Sequence, residues 1–191
     1  MTNSHEAISS SADAADQQPS KVIVLGGAAT ARKTTSATWP SPSPMPFVKH
    51  DGGRSDAGYR GKAGDYVIRA IAIAAGLSYL LVYAELRRRN EHFRRTSRCR
   101  AARRMKSSTP RNGTNKRVYD PYLLDLGFTW TPTMGIGTGC RFHLHPDELP
   151  TGRLVVRLSG HLAAVIDGTL YDTKDCSRGG TRCVYGFYQR S

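Results

Sequence analysis

The sequence predicts an α+β domain over residues 45–191, and three observations predict it. Tyr66 to Ala75 is an almost unbroken apolar stretch ended by Gly76. Ser78 opens a second stretch, in which Tyr79, Val82, Tyr83 and Leu86 recur at helical spacing. The last third is rich in Leu, Val and aromatic residues and holds Asp167-Gly168, a pair that favours a tight hairpin. Helices first and strands last suit helices packed on a small antiparallel sheet.

Each element has a local cause. Asp65 has the side chain of a good N-cap for a helix starting at Tyr66. That helix is apolar on every side except Arg69, so it is expected to be buried. Asp51-Gly-Gly-Arg-Ser-Asp-Ala-Gly58 before it reads as loop. A third helix is expected from about Lys116 to Leu126, with Val118, Tyr122 and Leu126 on one side and Gly127 as its stop. Phe128-Thr-Trp130 starts an extended stretch, and Asp147-Glu-Leu149 before Pro150 reads as a helical turn. Strands are expected at Arg153–Ser159, on both sides of the Asp167-Gly168 turn, and at Thr181–Tyr188. Tyr66 to Ala84 is long enough for a membrane span, but Arg69, Gly76 and the amphipathic second half argue against one.

The first 44 residues are different in kind. They are rich in Ala, Ser, Thr and Pro, end in Trp39-Pro-Ser-Pro-Ser-Pro44, and read as a disordered extension. Met45 follows at once and is a plausible alternative translation start. Val22 to Thr34 looks like a phosphate loop at first sight, but Arg32 stands where that loop needs Gly before Lys33-Thr34. The opening residues carry no secretory signal pattern. Four cysteines in 191 residues do not form a disulfide framework. The expectation is therefore reduced thiols and a cytoplasmic protein.

The net charge of +13 is concentrated. Arg87 to Arg117 holds 13 of the 28 Lys and Arg residues and only one acid, Glu91, so this insert carries nearly all of the excess. The rest of the chain is close to neutral. Arg87, Arg88, Arg89, Arg94, Arg95, Arg103 and Arg104 are candidates for contact with nucleic acid. The alternative is a solvated, mobile loop.

The hairpin carries the most suggestive chemistry. With a two-residue turn at Asp167-Gly168, Ile166 pairs with Thr169 and Ala163 with Asp172. His161 then shares a face with Asp172, one diagonal step away. A carboxylate so placed can fix an imidazole's tautomer and orientation, as a general base requires.

Several runs carry a resemblance: Asp51-Gly-Gly-Arg54, Gly64-Asp-Tyr-Val-Ile-Arg-Ala-Ile-Ala72, Trp130-Thr-Pro-Thr-Met134, Gly139-Cys140, Asp147-Glu-Leu-Pro150, His161 to Gly168 and Thr181 to Gly186. On these, residues 47–191 resemble a family of uncharacterised bacterial and phage-associated proteins similar to papain-like cysteine peptidases. The resemblance implies a papain-like fold, with a nucleophilic cysteine at the first turn of the buried helix, His161 as base and Asp172 as its orienter. This chain departs at the nucleophile, where residue 66 is Tyr. A phenol of pKa about 10 is a poor acyl-transfer nucleophile. The resemblance thus implies a peptidase- or amidase-like hydrolase domain that is inactive, with a role in binding a peptide or protein ligand in its cleft, or none. The alternative class is a nucleic-acid-binding accessory protein acting through Arg87–Arg117.

Other chemistries are open to these residues. Cys140 could replace the missing nucleophile, Tyr66 could act as one itself, or Tyr66 could stack on a ligand. Cys140, His143 and His145 with Cys176 and Cys183 could form a metal site, although only Cys140-x2-His143 has the usual close spacing. No cofactor or metal is expected, and no membrane partner.

Overall fold

A computed structural model describes residues 44–190. The Val22–Thr34 run, and the extension up to residue 43, lie outside the described residues. In chain order the elements are β1 (Phe47–Lys49), α1 (Tyr66–Ala75), α2 (Tyr79–Thr96), α3 (Arg100–Arg103), α4 (Lys116–Asp125), β2 (Phe128–Pro132), β3 (Arg153–Leu158), β4 (His161–Ile166), β5 (Thr169–Asp172) and β6 (Gly186–Arg190). Short 3-10 turns occupy Pro110–Asn112 and Pro146–Glu148. The class is α+β, as expected.

The six strands form one sheet in the order β1-β5-β4-β3-β6-β2. It is mixed rather than purely antiparallel, because β1 runs parallel to β5, with Phe47 beside Leu170 and Lys49 beside Asp172. Asp167 and Gly168 both have positive φ, 47° and 74°, which makes the β4–β5 turn type I′. Ile166 pairs with Thr169 and Ala164 with Tyr171, the expected register. The last strand begins later than its composition suggests, at Gly186 instead of Thr181.

The sheet is covered on both sides, which explains the continuous Leu/Val runs of β3 and β4. Val155, Leu162, Ala164 and Tyr188 face the helices and pack with Val67, Ile71, Val82 and Leu123. Leu154, Val156, Ala163 and Val165 face a second apolar layer containing Met45, Leu144, Leu149 and Val184.

Helix α1 is buried from Val67 to Ala74. Gly76 ends it with φ 67°, and its N–H and that of Leu77 fold back onto Ile73 (3.3 Å) and Ala72 (3.0 Å). Ser78 caps α2 as expected, accepting from the Leu81 N–H at 3.3 Å. This break divides Tyr66–Ala84 into two helices. Among the described residues no helix is long and apolar enough to cross a membrane.

The basic insert is not a loop. Its first ten residues continue α2, and the remainder supplies α3, a 3-10 turn and the start of α4. The buried stripe Tyr79, Val82, Leu86 extends to Asn90, whose amide donates to the Ser108 carbonyl at 3.2 Å. Glu85 pairs with Arg88 and Arg89, both at 2.6 Å, and Arg89 also reaches Asp125 on α4 at 2.7 Å. Arginine is a good helix former. With these acids and apolar anchors, a charged run that looks like loop is held as helix.

Candidate functional site

Three elements meet at the start of α1. Tyr66 is its first residue, His161 is the first residue of β4, and Asp172 is the last of β5. The Tyr66 and His161 rings lie 5.0 Å apart, centroid to centroid, tilted by 44°. His161 Nε2 meets Asp172 Oδ2 at 2.5 Å. The hairpin register thus joins the imidazole and the carboxylate, and α1 brings residue 66 to the imidazole's other side.

Asp172 is buried and its lone pairs are well used. Oδ1 accepts from the Thr173 N–H at 2.6 Å and faces the Arg69 guanidinium at 3.4 Å. Burial pushes its carboxyl up, but the His161 hydrogen bond and charge, the Thr173 N–H and the Arg69 charge outweigh it. The carboxyl is therefore held below its usual value.

The Asp65 cap is a correction. Asp65 does precede the helix, but its side chain caps nothing there. The carboxylate is fully buried and pairs with Arg69, one turn along α1. It also meets Arg54 Nε at 3.2 Å and accepts from the Tyr79 hydroxyl at 2.7 Å. Three strong donors outcompete a backbone N–H. A chain of polar contacts results, running from His161 through the buried Asp172, Arg69 and Asp65 to Arg54. Sequence reasoning gave Arg69 and Asp65 no role in the site, yet the signal existed, since Arg69 is the one charge on an otherwise apolar helix.

The same chain explains the Asp51-Gly-Gly-Arg54 run. Asp51 accepts from the Gly53 and Ser55 N–H groups at 3.0 and 2.9 Å, which curls the loop and delivers Arg54 to Asp65. Gly52 has φ 71°, and a Cβ there would lie 3.0 Å from the Arg69 Cα. The loop can lie against α1 only because that position has no side chain.

The cysteines depart from expectation. Cys140 and Cys183 form a disulfide, so the four thiols are not all reduced. His143 bridges Cys183 as isolated β pairing, which lays residues 140–144 alongside 182–184. A partner 43 residues away leaves no local spacing to read. The bond removes Cys140 as a substitute nucleophile and dissolves the ligand set of Cys140, Cys183 and the nearby histidines. His143 instead faces Glu148 at 3.1 Å.

Cys176 is the member that sequence reasoning placed elsewhere. It is buried, and its donor atom, with those of His161 and Asp172, lies within a group spanning 4.8 Å. Burial, then the Asp172 charge, pushes its thiol up to about 12. A protonated thiol beside a carboxylate already facing Arg69 fits a hydrogen-bonded acid better than a cation cage.

A cleft of about 310 Å³ opens beside Tyr66 and His161, with Thr114, Asn115, Lys116 and Arg157 in its walls. The basic insert therefore forms part of the site wall. Of its seven candidate arginines, Arg88, Arg89 and Arg94 are paired with Glu85, Asp125 or Glu91. Arg87, Arg95, Arg103 and Arg104 make no ion pair among the described residues. A larger hollow of about 710 Å³ lies at the opposite end of α1, lined by Ile73, Leu77 and Tyr171 among others. Against family models, curated proteins and solved structures, the chain has no match.

Proposed function

We propose that residues 45–191 are a papain-like cysteine-hydrolase scaffold, inactive at residue 66, whose cleft binds a ligand without cleaving it. One observation carries this reading: the first residue of a buried helix abuts an imidazole that a buried carboxylate holds from behind. A thiol at that helix start would be stabilised as thiolate by the helix dipole and the imidazole. A phenol there supplies bulk and an aromatic face. His161 and Asp172 are then a surviving base and orienter with nothing to activate.

The test restores the nucleophile. Cys99 must first be replaced by Ser, because its hydrogen bonding with Ser97 and the Ala102 N–H lower its own thiol to about 7. In that background, the Tyr66→Cys thiol should react with iodoacetamide at pH 7 about tenfold faster than free cysteine. Reaction no faster than free cysteine would remove the cleft reading.

A second reading rests on Arg87, Arg95, Arg103 and Arg104, which lie on or beside α2 and α3 without a carboxylate partner among the described residues. It is a nucleic-acid contact. Because the insert is structural, the informative change is Arg95, Arg103 and Arg104 to Ala rather than deletion. Duplex DNA binding should weaken steeply between about 50 and 200 mM salt, and the triple variant should show a shallower slope. An unchanged slope in the variant excludes this surface.

A further inference from the structure

The cleft's chemistry points to a ligand class, an inference that rests on the cleft reading above. We propose that the cleft beside Tyr66 takes its ligand by a compact anionic group, a carboxylate or a phosphate.

The walls are cationic. Lys116 and Arg157 supply the fixed charge of the lining, and none of its lining residues is acidic. Lys116 and Arg157 have no carboxylate partner among the described residues. The Lys116 ammonium instead sits 4.6 Å from the centre of the Trp130 ring, held in place without being neutralised. Arg157 lies close enough to the Tyr119 hydroxyl to favour its ionised form, although burial outweighs this and pushes the phenol up to about 12.

Two helix starts add to those charges. Tyr66 opens α1 and Lys116 opens α4, both ten residues long, and neither helix has an acid in its first turn. No side chain caps the first turn of α1, since Asp65 is turned to Arg69 and Arg54. The positive ends of both helices therefore border one small space.

The independent observation is Thr114. Only 8% of this residue is exposed, it lines the cleft, and its buried hydroxyl has no hydrogen-bond partner among the described residues. A buried hydroxyl without a partner is uncommon, and a rotation of the Thr114 side chain toward the cleft would give it a ligand oxygen as acceptor. The volume of about 310 Å³ suits a small anionic head group with a short attachment, not a polymer backbone.

The full-length protein can be titrated with inorganic phosphate, with N-acetylglycine, and with the neutral N-acetylglycinamide, at ionic strength held constant with sodium chloride. Chemical-shift changes of the Thr114, Asn115 and Lys116 amides report binding. At least one anion should saturate below about 10 mM. Lys116→Gln and Arg157→Gln should each weaken it about tenfold, as expected for a charge-assisted hydrogen bond. Response to N-acetylglycine alone assigns a carboxylate ligand, and response to phosphate alone assigns a phosphate. Three outcomes overturn the proposal: neither anion saturates, the neutral amide binds as well, or both Gln variants bind like the parent. The Tyr66→Cys thiol reports separately on the helix start and His161. A reactive thiol with no anion binding defeats the ligand class and leaves the scaffold reading standing. Anion binding with an unreactive thiol does the reverse.

Discussion

At its C-terminal end α1 gives the Ala72, Ile73 and Ala74 carbonyls partners. The Gly76 and Leu77 N–H groups fold back onto Ile73 and Ala72. Arg153 Nε donates to the Ala74 carbonyl at 2.7 Å and its Nη2 to Ile73 at 2.8 Å. At the N-terminal end the residue best suited to cap the helix turns inward, into a buried charge chain, and no side chain caps the first turn. The hollow beside the closed end is the larger, about 710 Å³ against about 310 Å³. Volume and chemistry are thus separated along one helix. The roomier end is finished and mostly apolar, while the tighter end keeps donors, cations and an oriented imidazole. The carbonyls of the last turn are hydrogen-bonded from a neighbouring strand, while the N–H groups of the first turn are left without a side-chain cap beside the tighter cleft.

The comparison breaks most visibly if Arg69 is removed. Its guanidinium is shared by Asp65 and Asp172, both buried, so Arg69→Met leaves two carboxylates without their common cation. Urea unfolding at neutral pH should show a loss of about 3–5 kcal/mol. The acid limb follows from the same geometry. The Asp172 carboxyl is held below 3.8 in the folded protein, so its contribution is complete above that value and is lost as pH falls through the lower, folded-state value. Without Arg69 the folded-state value moves back toward the ordinary one, so the share of the acid-side loss that Asp172 contributes should be smaller and should be complete at a higher pH. A variant as stable as the parent, with the same acid limb, would show that the chain of charge supports nothing.

The elements at these two termini were not equally legible in the sequence. Helix α1, its Gly76 stop and the β4–β5 hairpin were readable because their causes are local: an apolar run, a residue free to adopt positive φ, and an Asp-Gly turn. The pairing of His161 with Asp172 followed from that register alone. Asp65 was misjudged because residue type predicts a cap, while the fold offers it Arg54 and Tyr79 from distant segments. Strand β1 had no readable signal. Its three residues are exposed, and only parallel pairing with β5, over 120 residues away, makes them a strand. The disulfide and the position of Cys176 depend on the same kind of long-range contact. The walls of the cleft were hidden for another reason: a helix starting at Lys116 is legible, but that its start lies beside Tyr66 and His161 is set only by the tertiary fold.

Removing Arg153 is the gentler probe, and it sharpens the contrast from the closed end. Arg153 lies at the start of β3, so its side chain ties the sheet to the last turn of α1 as well as satisfying two carbonyls. Arg153→Met keeps much of the apolar stem and removes both charge-assisted hydrogen bonds. Those carbonyls border an open hollow, where water can replace the lost donors. The expected cost is therefore about 1–2 kcal/mol, well below that of Arg69→Met. Iodoacetamide reactivity of the Tyr66→Cys thiol should be unchanged by the same substitution, because the full length of α1 separates the two ends and that thiol's stabilisation arises within the first turn. If Arg153→Met slowed that reaction as strongly as it weakened folding, the two termini would be energetically one unit, and the division of labour along α1 would have to be abandoned.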